Sequence, residues 1–211
     1  MSPIAIKIFL AIACAGHILC CFCDRAITYT PNGRFGFNDL NDNERLAALF
    51  EGSSKKRQMF SILGGILALA MTSLGYVALC SYVASYSAAC GIVLLVSFAP
   101  FIVAGAAHHV FCGAVEWFYI RLGRTEEARK VIVEFFKKTL PAMYVCFIGL
   151  MIFAVTLFVA IITGTTGLPR WACVFNVLPM FIVILPFRLV GSFNIASAAQ
   201  FLGLFIVFCA I

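Results

Sequence analysis

The chain has 211 residues, of which 63% are apolar and 11% charged, with a net charge of +6 and a mean hydropathy of +1.05. Ordinary soluble domains are about 45–50% apolar and about 25% charged, so this chain has too few charged side chains to cover a water-exposed surface. The composition excludes a soluble globular enzyme, a disordered polymer and a nucleic-acid binder that would need a basic stripe on a polar face.

A helix needs about 20 mainly apolar residues to cross a hydrocarbon core about 30 Å thick. Windows of that kind fall at 4–23, 59–82, 87–118, 140–163, 171–187 and 193–211. They are continuous apolar runs rather than alternating ten-residue segments, which excludes a transmembrane β-barrel. The expected fold is therefore all-α: a polytopic transmembrane helical bundle of about six spans, forming one domain over residues 1–211.

The first window carries Lys7 and a lipobox-like Ala11-Ile12-Ala13-Cys14, as a signal peptide would. Its apolar run continues past Cys14 to Cys23, so it reads as a retained span. The third window is too long for one crossing and must tilt, break near Pro100 or protrude. The fifth is short and holds Pro179 and Pro186, each lacking a backbone donor, which predicts a kinked helix packed against other protein.

Between the first two windows lies the one long polar segment, 24–58, with turn signals at Pro31-Asn32-Gly33. After it, Asp42 can cap a short interfacial helix that carries Leu46, Leu49 and Phe50 on one face and ends at Gly52. In the loop 119–139, Thr125 can cap a helix with an acidic first turn, on which Ala128, Val131, Ile132 and Phe135 share a face.

Lys and Arg are unevenly divided. Arg25, Arg34, Arg45, Lys55, Lys56 and Arg57 lie in the first loop, and Arg121, Arg124, Arg129, Lys130, Lys137 and Lys138 in the third. Arg188 joins them, leaving only Lys7 and Arg170 on the other side. Because short cytoplasmic loops collect positive charge, the basic loops are expected to be cytoplasmic and both termini outside, in a multi-pass protein of a cell membrane. The main purpose of these charges is to fix topology. They also give anionic lipid headgroups a surface, so membrane lipids are the expected partners; no nucleic-acid partner is expected.

Ionisable groups inside a span are costly and are functional candidates. His17, His108 and His109 all fall on the order of 10–13 Å below the cytoplasmic interface at about 1.5 Å per residue. His109 and Glu116 are seven residues apart and project from one helix face with Gly105, Cys112 and Gly113. Arg188 and Asn194 start at a comparable depth. These six residues, His17, His108, His109, Glu116, Arg188 and Asn194, predict a polar cavity in the cytoplasmic half of the bundle. Interhelical hydrogen bonding is the competing role for the same residue types.

No metal or cofactor site is expected. The nearest approach to metal-ligand spacing is His108 or His109 with Cys112, short of a His-Glu-x-x-His pattern. Most of the ten cysteines stand alone in spans, where a thiol acts as a small hydrophobe. The cluster Cys20, Cys21, Cys23 leaves acylation or metal binding open, with neither favoured. No phosphate-binding loop, dinucleotide fingerprint or nucleophile elbow is present.

The run Tyr29-Thr30-Pro31-Asn32-Gly33, the segment Asn43-Glu44-Arg45-Leu46, the pair Gly64-Gly65 and the spacing Gly191-x-x-Asn194 resemble an uncharacterised family of small bacterial six-span membrane proteins, a domain of unknown function. The resemblance covers nearly the whole chain and implies the bundle, but no activity or catalytic residue. Three function classes follow from the residues. The first is binding or transport of a small amphiphilic or lipid-like ligand. The second is an intramembrane lipid-modifying enzyme using His109 and Glu116 as acid and base, and the third a structural or accessory subunit.

Overall fold

The computed structural model describes residues 1–210. Eight helices form an all-α bundle: α1 (Pro3–Thr28), α2 (Asn43–Leu49), α3 (Lys55–Ala84), α4 (Ala88–Arg121), α5 (Glu126–Thr139), α6 (Pro141–Ile162), α7 (Val177–Ile184) and α8 (Ser192–Ala210). By length and apolar composition, five of the segments are able to cross a membrane: α1, α3, α4, the α5–α6 run and α8.

Neighbouring long helices run antiparallel and approach closely where residues are small. Gly16 of α1 faces Ala68 and Thr72 of α3, Gly75 faces Ala13, and Gly149 of α6 lies on the backbone of Ser97 and Phe101 in α4. Without a hydrophobic drive between helices in lipid, such close approach is what holds spans together. The central core is aromatic. Tyr76 is 1% exposed and lies among Phe98, Phe101, Phe153 and Phe201, with ring centroids 5.0–5.7 Å away.

Helix α4 runs unbroken through Pro100 for 34 residues. At about 1.5 Å per residue it is about 51 Å long, more than the thickness of a hydrocarbon core, about 30 Å. On its last turns, Val115 and Tyr119 form a second core with Leu40, Leu46, Phe50, Ala128, Ile132 and Phe136. The first loop and α5 are thus folded together over one end of the bundle, hereafter the basic end. Asp42 caps α2 by accepting from the amides of Glu44 and Arg45, and Thr125 caps α5 by accepting from Ala128. The buried stripe of α5 is Ala128, Ile132 and Phe136. Val131 and Phe135, expected on the same face, are exposed, because the partner core lies one step round the helix.

The window at 171–187 is not a sixth continuous helix. It comprises a 3₁₀ turn (Arg170–Phe175), α7 and a second 3₁₀ turn (Leu185–Phe187). Pro179 and Pro186 each remove an amide donor, and the chain breaks at Asn176, which bonds the carbonyl of Ala154 in the middle of α6 at 2.9 Å. Gln200 of α8 accepts from the amide of Val177 at 2.8 Å. The broken segment carries the chain from the end of α6 back to the basic end, where Gly191 lies against Cys21 and Asp24. Both ends of the described chain consequently fall at the opposite end, with Ile6 and Phe208 in one cluster.

Candidate functional site

The helices meet the first loop around a cavity of about 500 Å³ at the basic end. Five of the six sequence-predicted side chains line it: His17 from α1, His108 and His109 from α4, Arg188 from the link before α8, and Asn194 from α8. Phe101, Phe147, Leu150, Phe181 and Leu185 supply an apolar wall. Glu116 is not in this lining. It faces an adjoining cavity of about 410 Å³ that shares Asp24, Phe37 and Gly191, and it accepts from Gln58 Nε2 at 3.2 Å.

A chain of hydrogen bonds, interrupted by one longer ion contact between Asp24 and His109, joins four helices. Tyr76 Oη lies 3.3 Å from His17 Nε2, and His17 Nδ1 lies 2.9 Å from Asn194 Oδ1. Asn194 Nδ2 donates to Asp24 Oδ2 at 2.8 Å, and Asp24 Oδ1 lies 3.6 Å from His109 Nδ1. His109 Nε2 closes the chain at the Ser61 carbonyl, 3.0 Å away. The His17 ring stacks on Phe201, 5.5 Å between centroids, so its apolar faces are packed while both nitrogens are bonded.

Local structure explains the placement. His17, Cys20 and Asp24 recur at three- and four-residue intervals on one face of α1, and Ser61 and Tyr76 both face inward from α3. Gly65 makes room for His109, because a Cβ there would lie 2.0 Å from the imidazole Cδ2 and 2.2 Å from Nε2. His108 is outside the hydrogen-bonded chain and lies beside Cys112, whose Sγ is 3.5 Å from Nε2. Arg188 takes a left-handed backbone at φ 50°, and its carbonyl accepts from Arg34 at 3.4 Å.

Asp24 is the residue that sequence reasoning missed. Its position at the end of an apolar run marks it as a loop boundary, yet α1 continues four residues further to Thr28 and holds the carboxylate within the site. The available signal was its spacing: Asp24 is seven residues after His17 and four after Cys20, hence on their face. Cys20, Asp24 and His109 present their ligand atoms within 4.8 Å of one another.

The profile of a family of unknown function, DUF6796, matches residues 1–211. The chain belongs to that family. No curated protein and no solved structure matches it. For this DUF6796 chain, the site's chemistry must therefore be argued from its own residues.

Proposed function

We propose that this DUF6796 chain is a multi-pass integral protein of a cell membrane that binds, and in the fuller reading transports, a small amphiphilic or lipid-like molecule at its basic end. The observation that carries the reading is the mixed polar and apolar lining of the 500 Å³ cavity. The lining includes the polar Asp24, His109, Asn194 and Arg188 together with the apolar Phe101, Phe147, Leu150 and Phe181. A polar head and a short apolar body suit that lining, and the volume falls within the range of about 300–1,000 Å³ of small-molecule sites. The basic loops would then rest on an anionic leaflet, where each nearby Lys or Arg contributes about 1 kcal/mol.

A structural or accessory role is the second reading. It is favoured by internal pairing, since His17, Asn194, Asp24 and His109 each have a hydrogen-bond partner within the bundle. An acid–base enzyme built on His109 and Glu116 has less support, because Glu116 is bonded to Gln58 and lines the other cavity.

The deciding experiment is mass spectrometry of small molecules extracted from the full chain purified in mild detergent, compared with Met143→Trp, which fills the cavity. The ligand reading expects one amphiphile near one per chain, lost in the variant. Equal amounts of mixed bulk lipid in both proteins would leave the accessory role.

A further inference from the structure

Cys20 and Asp24 stand four residues apart on one face of α1, and His109 meets them from α4. Their ligand atoms lie within 4.8 Å of one another, with His109 Nδ1 and Asp24 Oδ1 3.6 Å apart. We propose that Cys20, Asp24 and His109 bind a divalent transition-metal ion of the zinc type, with the fourth position open toward the cavity.

Geometry gives the first argument. Tetrahedral zinc with bonds of about 2.0–2.3 Å separates its donor atoms by about 3.3–3.8 Å. The nitrogen and oxygen, 3.6 Å apart, are close to that separation, and the sulfur needs to close by about 1.3 Å at most to reach it.

The second argument is the direction of the histidine. His109 Nε2 lies 3.0 Å from the Ser61 carbonyl, which can only accept, and 3.2 Å from the Ser61 hydroxyl, which can donate or accept; in the tautomer that donates to the carbonyl, Nε2 carries the ring hydrogen. In the neutral ring, Nδ1 then offers a lone pair toward a carboxylate oxygen. In that tautomer two acceptors face each other, and a cation between them, a proton or a metal ion, satisfies both.

Third, the surroundings match what metal ligands need. A ligating histidine commonly gives its other N–H to a backbone carbonyl, and a ligating carboxylate is itself hydrogen-bonded. Ser61 and Asn194 fill those two roles here. Fourth, charge closes within the cluster. The Cys20 thiol releases its proton to solvent on binding, and one thiolate with one carboxylate cancels a 2+ ion, so no net charge is buried among apolar helices.

The site stands on its own residues, whatever fills the cavity, and is read by a separate measurement. The full chain in detergent, stripped with a chelator, is titrated with Co²⁺ as the probe. The expected result is one Co²⁺ per chain, a thiolate-to-cobalt charge-transfer band in the near ultraviolet, and displacement by Zn²⁺. That band is lost in Cys20→Ser and kept in Cys21→Ser and Cys23→Ser. Asn194→Ala weakens Co²⁺ binding by about 10–100-fold. The absence of stoichiometric Co²⁺ uptake by the unmodified chain, or a band that survives Cys20→Ser, overturns the proposal and leaves a proton shared by Asp24 and His109. The unmodified chain decides the matter even if a variant fails to fold.

Discussion

Asn194 donates from Nδ2 to Asp24 Oδ2 at 2.8 Å, joining residues 170 apart in the sequence. Its Oδ1 sits 2.9 Å from His17 Nδ1, so one amide ties the start of α8 to two points of α1 about two turns apart. Alanine at this position leaves His17 Nδ1 and Asp24 Oδ2 without their partner in a largely apolar setting. The expected loss for Asn194→Ala is about 1–3 kcal/mol, read as a lower melting temperature of the detergent-solubilised chain. An unchanged melting temperature would mean that water already bridges these groups.

Gly65 and His109 give a second expectation. A Cβ at Gly65 would overlap the imidazole, and the ring cannot retreat without breaking its bond to Ser61. Gly65→Ala is therefore expected to cost about 1–3 kcal/mol, as overpacking does, and to displace His109. Gly36→Ala is the control: the added methyl would lie 3.7 Å from Asp39, at ordinary contact distance. Melting temperatures of the two variants, compared with the unmodified chain, check the difference, and equal values would show that α3 and α4 slide apart without cost.

Five long apolar windows were legible because a membrane-crossing helix needs only length and apolar side chains, both of which are local properties. The depth of the histidines was legible for the same reason, since rise per residue is fixed. Asp24 was not, because a charge at the end of an apolar run looks the same whether its helix stops there or continues to Thr28. Glu116 shows the limit of spacing. Its seven-residue interval from His109 is real, yet the long bundle places Gln58 beside the carboxylate and a different cavity in front of it. The α2 segment looked interfacial because its apolar face had no partner in the sequence around it. The partner proved to be α4 and α5, more than sixty residues further along the chain.

The break at Asn176 depends on two side chains of unequal importance. Asn176 donates to the Ala154 carbonyl and accepts from the amide of Leu178 at 3.0 Å, so both ends of its amide are used. Gln200 accepts from Val177, but its Nε2 is buried without a partner. Asn176→Ala is expected to cost about 1–3 kcal/mol. Gln200→Met loses one bond and also removes an unpaired buried amide, so its cost should be the smaller of the two. Thermal unfolding of both variants tests the ranking, and a larger loss for Gln200→Met would show that water satisfies its amide in the folded chain.

The assembly over the basic end should open separately from the bundle. Tyr119 donates to Asn43 Oδ1 at 2.8 Å, and Arg124 donates to the Phe50 carbonyl at 3.2 Å. These bonds hold the first loop over α4. Tyr119→Phe keeps the ring against Phe50 and loses only the hydroxyl, so a cost of about 1 kcal/mol is expected. Phe50→Ala empties a site that is 1% exposed, with an expected cost of about 3–5 kcal/mol. In both variants, amide hydrogen exchange should quicken across residues 37–50, more in Phe50→Ala, while α1 and α3 keep their protection. Exchange that quickened equally in α3 would show instead that the loop and the bundle unfold as one cooperative unit.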